Sequence, residues 1–316
     1  MTVSFGYLLP TRERIMEGHN ETRSLLELAD RAEAIGMDSV WVGDSLVARP
    51  RHEPLTLLAA VAGRTKKVSL GTAVLLPALR NPVVLAHQVA TLDQISEGRV
   101  ILGVGIAADV PNIRAEFLAA GVPFEKRVGR LMEGLRLCRA LWTGKPVSWE
   151  GRWTLKDQMI GPTPYRKGGP PIWVGSHVRA GIERAGKHFD GWFPTGPNAQ
   201  AFRDQLMQVR EVASQAGRDP KAIAAAIYLT LRIDDDSNAA DRHINDYLSS
   251  YYGAPAEQIR KSQANFAGSE AGAIDWLQGF IDAGAEHIMI RLAGDHERQM
   301  ESVVRIREAL VSTGSA

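Results

Sequence analysis

The chain has 316 residues, a formal net charge of +1 and one cysteine, Cys138. The near-neutral charge argues against a nucleic-acid partner or a membrane surface recognised by bulk electrostatics. A single cysteine excludes an internal disulfide, and no apolar run approaches the roughly 18 residues of a membrane span. We therefore expect a soluble cytoplasmic protein without a signal peptide.

The first half of the chain alternates apolar strands with helices. Strands are expected over 3–9, 39–43, 68–76 and 100–104, and helices over 21–35, 55–62, 83–95 and 126–142. Near-continuous Val, Ile and Leu runs indicate strands that are buried on both faces of a parallel sheet. Gly36 is placed to end the first helix, and Pro82 occupies the first turn of the third.

The second half continues this alternation with two interruptions. Strands are expected over 171–175, 191–194, 223–233 and 287–292, and helices over 179–187, 200–216, 270–283 and 297–311. The first interruption, 143–169, is rich in glycine, proline and aromatic residues and predicts a hairpin around Gly151. The second, 234–268, is polar and rich in tyrosine.

Eight strands separated by helices imply parallel pairing through right-handed crossovers. We predict one domain over residues 1–316, a (β/α)8 barrel with insertions at about 143–169 and 234–268. A doubly wound open sheet is the alternative, because residues 103–108 match the G-x-G-x-x-G/A pattern of dinucleotide-binding folds. That pattern follows the fourth strand, not the first, and leads into a predicted turn at 109–111, so the barrel is preferred.

The chemistry of such a barrel lies at the carboxyl ends of its strands. The side chains expected there are those of Tyr7, Asp44, Ser45, Thr72, Ala73, Arg80, Gly105, Ile106, Gly175, Ser176, His177, Thr195, Gly196, Arg232 and Arg291. Gly175-Ser176-His177 leads into a helix and could bind an anion such as a cofactor phosphate. The alternative is that Ser176 only caps that helix.

Other candidates carry a structural alternative as well. Asp44 would orient a substrate or cofactor group, or would only form a turn. Arg232 and Arg291 lie at the ends of apolar strands, so each charge needs an ion-pair partner or a ligand. The eight histidines show no H-E-x-x-H spacing, and neither a P-loop nor a G-x-S-x-G motif occurs. Without a metal site, redox chemistry would come from a bound organic cofactor.

Several segments together resemble the luciferase-like family of flavin-dependent oxidoreductases. They are residues 29–41, the Gly71 region with 91–105, 134–144, 170–175 and 190–194. The resemblance implies a (β/α)8 barrel that binds reduced FMN, supplied by a separate flavin reductase, and activates oxygen. Another branch of the family binds the deazaflavin coenzyme F-420 and transfers hydride without oxygen.

The resemblance also assigns roles to residues. The flavin ring is expected over the strand end at Gly71, Thr72 and Ala73, at an unusual peptide bond. The other cofactor-binding residues would be Tyr7, Gly105, Ile106, Gly175, Ser176, His177, Thr195 and Gly196. Asp44, Ser45 and His177 are the catalytic candidates. Many relatives carry a histidine directly after this aspartate, where this chain has Ser45; His177 and His19 are the substitutes we consider.

The resulting hypothesis is a monooxygenase that uses reduced FMN and molecular oxygen on a small organic substrate. The stretch 234–268 would close over that substrate as a lid, with Tyr247, Tyr251, Tyr252, Asn265 and Phe266 available to it, and Arg232, Tyr251, Tyr252 and Arg291 would contact the substrate. The alternatives are an F-420-dependent hydride-transfer enzyme, a non-catalytic partner subunit, and an unrelated phosphate-handling barrel enzyme. By resemblance, a homodimer or higher homo-oligomer is expected.

Overall fold

The structure, a computed structural model, describes residues 3–313. The strands are β1 (Ser4–Leu8), β2 (Ser39–Val42), β3 (Ser69–Thr72), β4 (Val100–Val104), β5 (Val147–Glu150), β6 (Thr154–Gln158), β7 (Ile172–Val174), β8 (Gly191–Trp192), β9 (Ala224–Ile233), β10 (Asn265–Gly268) and β11 (His287–Leu292). The α-helices are α1 (Thr11–Met16), α2 (Arg23–Ala34), α3 (Pro54–Arg64), α4 (Pro82–Ile95), α5 (Pro111–Ala119), α6 (Arg127–Leu141), α7 (Arg179–His188), α8 (Ala199–Gln215), α9 (Ser237–Tyr252), α10 (Ala256–Ser262), α11 (Glu270–Asp282) and α12 (His296–Thr313).

Eight of these strands close into a parallel barrel. Their order around the barrel is β1, β2, β3, β4, β7, β8, β9 and β11, and β11 pairs with β1. The contact of β8 with β9 is short, with Gly191 opposite Ala224 and Trp192 opposite Ala225. The (β/α)8 barrel predicted from the alternation of elements is confirmed.

The barrel interior is filled by large apolar side chains. Its buried members are Leu8, Trp41, Ala73, Ile101, Trp173, Phe193, Ala226 and Met289. Space for the Trp41 ring exists because Gly71 has no side chain, since a Cβ atom there would overlap the indole. The interior below the mouth is therefore a packed core, and ligands can enter only at the strand ends.

The predicted strands and the hairpin are present, but three helical segments were missed. Helix α1 has only six residues, too short for a periodic pattern to be evident. Helix α5 begins at Pro111, at the end of the stretch interpreted as a turn. The tyrosine-rich stretch is not irregular: it forms α9 and α10, followed by β10, which extends the sheet by pairing with β9.

Helix α9 forms because its sequence supplies both a start and an apolar face. The Asp236 side chain accepts hydrogen bonds from the backbone N–H groups of Asn238 and Ala239, at 2.9 and 3.1 Å. Ile244 and Leu248, four residues apart, are fully buried beside Ala293. We call α9 and α10, residues 237–262, the lid segment. No helix within residues 3–313 is long and apolar enough to cross a membrane.

Candidate active site

A cavity of about 190 Å³ opens at the carboxyl ends of the barrel strands. The loops after β2, β3 and β4 form one side of it, and the lid segment and the ends of β9 and β11 form the other. The lining residues are Asp44, Ser45, Arg49, Arg51, Ala73, Val74, Leu76, Ala107, Ala108, Ile113, Glu116, Tyr228, Tyr251, Tyr252 and Arg291. The cavity lies where ligands bind in (β/α)8 barrels.

The floor of the cavity is the end of β3. The peptide bond between Ala73 and Val74 is cis, which is the unusual bond that the family resemblance implied. The Val74 side chain packs against two glycines: a Cβ on Gly105 would stand 2.5 Å from it, and one on Gly175 would stand 3.1 Å away. Because these positions have no side chains, the floor beside Ala73 stays low enough for a flat ring to approach.

Asp44 is engaged by the protein itself. Its Oδ2 accepts a hydrogen bond from the backbone N–H of Leu76 at 2.9 Å. The same oxygen forms an ion pair with Arg80 Nη1 at 2.5 Å. Arg80 also pairs with Glu53 at 3.0 Å. Asp44 lines the cavity, and its carboxylate ties the loop after β2 to the loop after β3. The Arg80 side chain is therefore held in ion pairs with Asp44 and Glu53.

Ser45 forms a polar pair with Glu116, a fully buried residue of α5. The Ser45 hydroxyl donates to Glu116 Oε1 at 2.6 Å, and the backbone N–H of Arg49 donates to the Ser45 oxygen at 2.9 Å. The N–H groups of Leu46 and Val47 also donate to Oε1, at 2.6 and 3.0 Å. Oε2 has no hydrogen-bond partner within residues 3–313. Glu116, which lines the cavity, therefore carries one buried carboxylate oxygen that has no partner in the described part of the chain.

Four tyrosines surround a buried arginine at the opposite wall. Arg291 is 2% exposed, and its guanidinium carbon lies 4.5 Å from the ring centre of Tyr251 and 5.1 Å from that of Tyr252. The rings of Tyr228 and Tyr247 lie 5.3 and 5.9 Å away. Burial raises the pKa of Tyr228 and of Tyr247 well above the ordinary value, so both hydroxyls stay protonated.

Three further arginines belong to the same group. Arg12 stacks over Tyr251 at 5.1 Å, and Arg49 over Tyr252 at 5.1 Å. Arg51 lies against Gly43, where a Cβ atom would overlap its guanidinium. We call the four arginines (12, 49, 51 and 291) and the four tyrosines (228, 247, 251 and 252) the arginine–tyrosine cluster.

The residues expected to bind a cofactor phosphate lie at the start of α7. Val178, which has no hydroxyl or carboxylate, occupies the N-cap of that helix, so the capping role considered for Ser176 is not found. The backbone carbonyl of Ser176 accepts a hydrogen bond from Trp192 Nε1 at 2.7 Å. His177 is exposed and is not among the residues that line the cavity.

Several other predicted residues are positioned by packing or by internal hydrogen bonds. Tyr7 is buried, and its hydroxyl is hydrogen-bonded to His296 Nδ1 at 2.9 Å. The Thr72 hydroxyl donates to the carbonyl of Gly103 at 2.7 Å. Ile106 is half-buried and directly precedes Ala107, which lines the cavity. His19 is exposed, with Nδ1 3.3 Å from Glu21.

Of the predicted residues on the lid side, some are held by contacts within the protein and others line the cavity. Arg232 donates to the carbonyl of Ala293 at 3.2 Å and pairs with Asp234 at 3.6 Å, which matches its structural alternative. The carbonyl of Thr195 accepts from the N–H of Ala264 at 2.6 Å, and Gly196 packs against the same residue. Asn265 and Phe266 belong to β10, and Phe266 packs on Trp276 at 5.6 Å. Of the five lid residues named from the sequence, Tyr251 and Tyr252 line the cavity.

Sequence reasoning missed Glu116, Arg49, Arg51 and Glu13. Glu116 belongs to the unpredicted helix α5, 71 residues after Ser45. Glu13 is buried in α1, where burial raises its pKa, and it accepts a hydrogen bond from the Tyr247 hydroxyl. The one available signal was the basic run Arg49-Pro-Arg51 directly after a predicted strand end.

Solved structures share this fold over nearly the whole chain. An F-420-dependent secondary alcohol dehydrogenase superposes with a TM-score of 0.83 at 23% identity, covering 98% of this chain and 99% of the other. A long-chain alkane monooxygenase gives a TM-score of 0.81 at 15% identity, with 99% and 92% covered. These identities support the fold alone.

Sequence relatives are more similar. An F-420-dependent glucose-6-phosphate dehydrogenase of Nocardia farcinica is 32% identical over 306 residues, 88% of this chain and 90% of that protein. Another, from Rhodococcus jostii, is 31% identical over 333 residues, with 95% and 96% covered. The profile of the luciferase-like monooxygenase family matches residues 3–313. The chain therefore belongs to the luciferase-like family of oxidoreductases.

Proposed function

We propose that this protein is an F-420-dependent oxidoreductase that transfers hydride between the deazaflavin and a small hydroxyl-bearing or carbonyl-bearing substrate, without oxygen. The observation that carries the proposal is the set of relatives at 31–32% identity, which bear the name F-420-dependent glucose-6-phosphate dehydrogenase and match most of this chain. Their names favour the F-420 alternative over the FMN-dependent monooxygenase that the sequence first suggested. They equally favour an enzyme over a non-catalytic partner subunit.

The residues at the barrel mouth fit a flat tricyclic ring. The low floor at Ala73 and Val74 would support one face of it. Ala107 and Ala108 leave room at the rim. When bound, a deazaflavin supplies the carbon that accepts or donates hydride. The backbone N–H groups of Ser176 and His177, together with Thr195, remain the proposed contacts for the phosphate of its side chain, whereas the N–H of Gly175 donates to the carbonyl of Val104 at 2.9 Å.

The chain itself would handle the proton. The Ser45 oxygen borders the cavity, while its own hydrogen points to Glu116 Oε1. A substrate hydroxyl that donates to Ser45 could lose its proton to this oxygen as the serine proton passes to Glu116. In the reverse direction the same pair returns the proton to a carbonyl oxygen. The pair would thus replace the histidine that many relatives carry at this position.

The proposal is tested by binding both cofactors to the purified protein without oxygen. A ligand at about 100 times its dissociation constant adds roughly 2.7 kcal/mol to stability. We expect F-420 to raise the melting temperature more than FMN does at equal concentration. Glucose 6-phosphate and a set of simple alcohols should then be screened for reduction of bound F-420, followed by its absorbance. Stronger stabilisation by FMN than by F-420 would overturn the proposal.

A further inference from the structure

We infer that the substrate carries an oxyanion, a carboxylate or a phosphate monoester, which binds the guanidinium groups of the arginine–tyrosine cluster. This inference rests on the proposed function, because it names the class of molecule on which the hydride transfer acts.

Arg291 is buried without an ion pair. Its guanidinium donates to Thr230 Oγ1 at 2.8 and 3.1 Å and to Gln263 Oε1 at 3.3 Å, and both acceptors are neutral. Within residues 3–313 no carboxylate oxygen lies within 4.0 Å of its nitrogens, and Glu13 interacts with it only at longer range. An arginine stays protonated at any accessible pH, so burial without a counter-charge is costly. A bound anion would supply the missing charge.

Arg51 and Arg12 place two further guanidinium groups near Arg291. Arg51 lines the cavity, donates through Nε to the carbonyl of Arg49 at 3.1 Å, and is hydrogen-bonded to the Tyr251 side chain. Nε and Nη1 of Arg12 are buried without hydrogen-bond partners in the described part of the chain. Burial lowers the pKa of Arg12, and the positive charges of Arg51 and Arg49 lower it further. The cluster therefore concentrates positive charge in a protein whose net charge is only +1.

Three carboxylates lie near the cluster and could neutralise its positive charge. Asp44 is held by Arg80. Glu116 binds backbone N–H groups and Ser45 on the far wall of the cavity. Glu13 faces the cluster. Its hydrogen-bond donor, the Tyr247 hydroxyl, is neutral, so the Glu13 carboxylate can offset one positive charge of the cluster. One nearby carboxylate cannot balance four guanidinium groups, so the cluster retains an excess of positive charge.

The geometry of the donors in the cluster indicates which kind of anion would bind. The guanidinium group is a planar fork that matches the paired oxygens of carboxylates and phosphates. The tyrosine rings stack on these forks and fix their orientation. The Tyr228 hydroxyl, kept protonated by burial, can add a further donor. This set of donors is suited to an oxyanion and offers little to an alkane chain.

The arrangement also orients the substrate. Arg51 and Arg291 line the same cavity as Ser45 and the floor at Ala73. An oxyanion held by the two arginines would leave the remainder of a small molecule to extend over that floor. Its hydroxyl or carbonyl group could then reach Ser45. The anion would thus position the reacting carbon, which is the usual purpose of a remote binding group.

The test measures anion binding by the apoprotein. Inorganic phosphate and acetate are titrated by calorimetry and thermal shift, with chloride at matched ionic strength as the reference. The variants are Arg51→Gln and Arg291→Gln, with Arg64→Gln as control, because Arg64 ends α3, has a side chain that is 47% exposed, and lies outside the cavity. Circular dichroism checks that each variant folds. Should Arg291→Gln fail to fold, Arg51→Gln carries the test.

We expect phosphate or acetate to stabilise the native protein beyond chloride, and the dissociation constant to rise at least tenfold in Arg51→Gln and in Arg291→Gln but not in the control. Tighter phosphate binding would indicate a phosphate monoester, and tighter acetate binding a carboxylate. No stabilisation, or equal binding by native protein and Arg51→Gln, overturns the inference. F-420 is titrated in parallel. Anion binding without F-420 binding would refute the proposed function alone, whereas the reverse would refute the anion site alone.

Discussion

Ser45 is the residue on which the proposed proton transfer depends. Replacing it with alanine removes the oxygen that borders the cavity but leaves Glu116 bound to the backbone N–H groups of Leu46 and Val47. General acid–base groups contribute about 10²- to 10⁴-fold to rate. We therefore expect Ser45→Ala to lower kcat by about 10²-fold or more, with the affinity for F-420 unchanged. Stopped-flow absorbance of the cofactor and equilibrium titration measure the two quantities.

Two matched variants separate chemistry from structure at this position. Ser45→Thr keeps the hydroxyl and should retain most of the activity. Glu116→Gln keeps an oxygen for the backbone donors but weakens the proton acceptor, so kcat should fall and its pH profile should change. If Ser45→Ala and Ser45→Thr lose activity equally, the residue only fills space and the proton passes elsewhere.

His287 predicts a pH dependence of stability. It is buried in the barrel interior, with Nε2 2.9 Å from Ser39 Oγ, and burial lowers its pKa from 6.5 to about 4. Below pH 6.5 the unfolded chain takes up a proton that the folded chain does not accept until about pH 4. The free energy of unfolding therefore falls as the pH decreases through this window, by about 1.4 kcal/mol per pH unit for each such histidine.

His296 adds a second contribution of the same sign, because burial also lowers its pKa to about 4. Urea unfolding of native protein and His287→Asn between pH 7 and pH 5 measures the difference. The variant should show a shallower dependence on pH, whatever its stability at pH 7. Parallel curves for the two proteins would mean that His287 is protonated in the folded state.

Sequence reasoning at the residue scale succeeded where a residue follows a strand directly. Asp44, Ser45 and Ala73 were expected at the barrel mouth, and all three line the cavity. Glu116 could not be found in this way, because its contact with Ser45 depends on the position of a helix that no pattern predicted. Arg232 lies near the end of its strand as Arg291 does, yet it pairs with Asp234, so position along the strand could not distinguish the two.

At the scale of elements, the turn that follows the lid segment is in close backbone contact with the barrel. Gly196 follows β8 with a φ of +125°, and a Cβ there would overlap the backbone nitrogen of Ala264. That nitrogen donates to the carbonyl of Thr195 at 2.6 Å. An alanine at position 196 would therefore be both strained and obstructed. The turn before β10 would have to move away from β8.

Gly217→Ala is the matched control for Gly196→Ala. Gly217 also has a positive φ, +72°, but no atom lies within 4 Å of the position that its Cβ would occupy. It should lose about 1 kcal/mol of stability through backbone strain alone. Gly196→Ala should lose about 1–3 kcal/mol more, because a close contact and a hydrogen bond are disturbed. Urea unfolding compares them, and equal losses would show that the contact with Ala264 relaxes freely.

The elements themselves were predictable in proportion to their burial. Strands such as β4 and β11 are buried along their whole length and read as apolar runs in the sequence. The hairpin of β5 and β6 was indicated by its glycine turn. Helix α9 was not, because its apolar face rests on Ile244 and Leu248, too few positions to stand out among polar residues and tyrosines.

At the scale of the whole molecule, the barrel and the lid segment differ in how they are held. Every barrel strand is paired on both sides, since β8 and β9 complete the ring. The lid segment is held by the small apolar group around Ile244 and by tyrosines that stack on arginines. Alternation along the chain was enough to predict the first. The second depends on side chains from β11 and from the loops after β1 and β2, which are distant in sequence.

This difference predicts two rates of amide hydrogen exchange. The barrel strands should exchange only through global unfolding, whereas residues 237–262 should exchange earlier by local opening. An anion that binds Arg51 and Arg291 would remove the repulsion among the guanidinium groups that contact Tyr251 and Tyr252 of α9. Phosphate, or acetate if acetate binds more tightly, should therefore slow exchange in α9 and leave the strands unchanged. Mass spectrometry of exchanged peptides, with and without the anion, measures this. Protection that appears equally in Arg51→Gln would show that the anion acts elsewhere, whereas protection confined to the native protein would link closure of the lid to substrate charge.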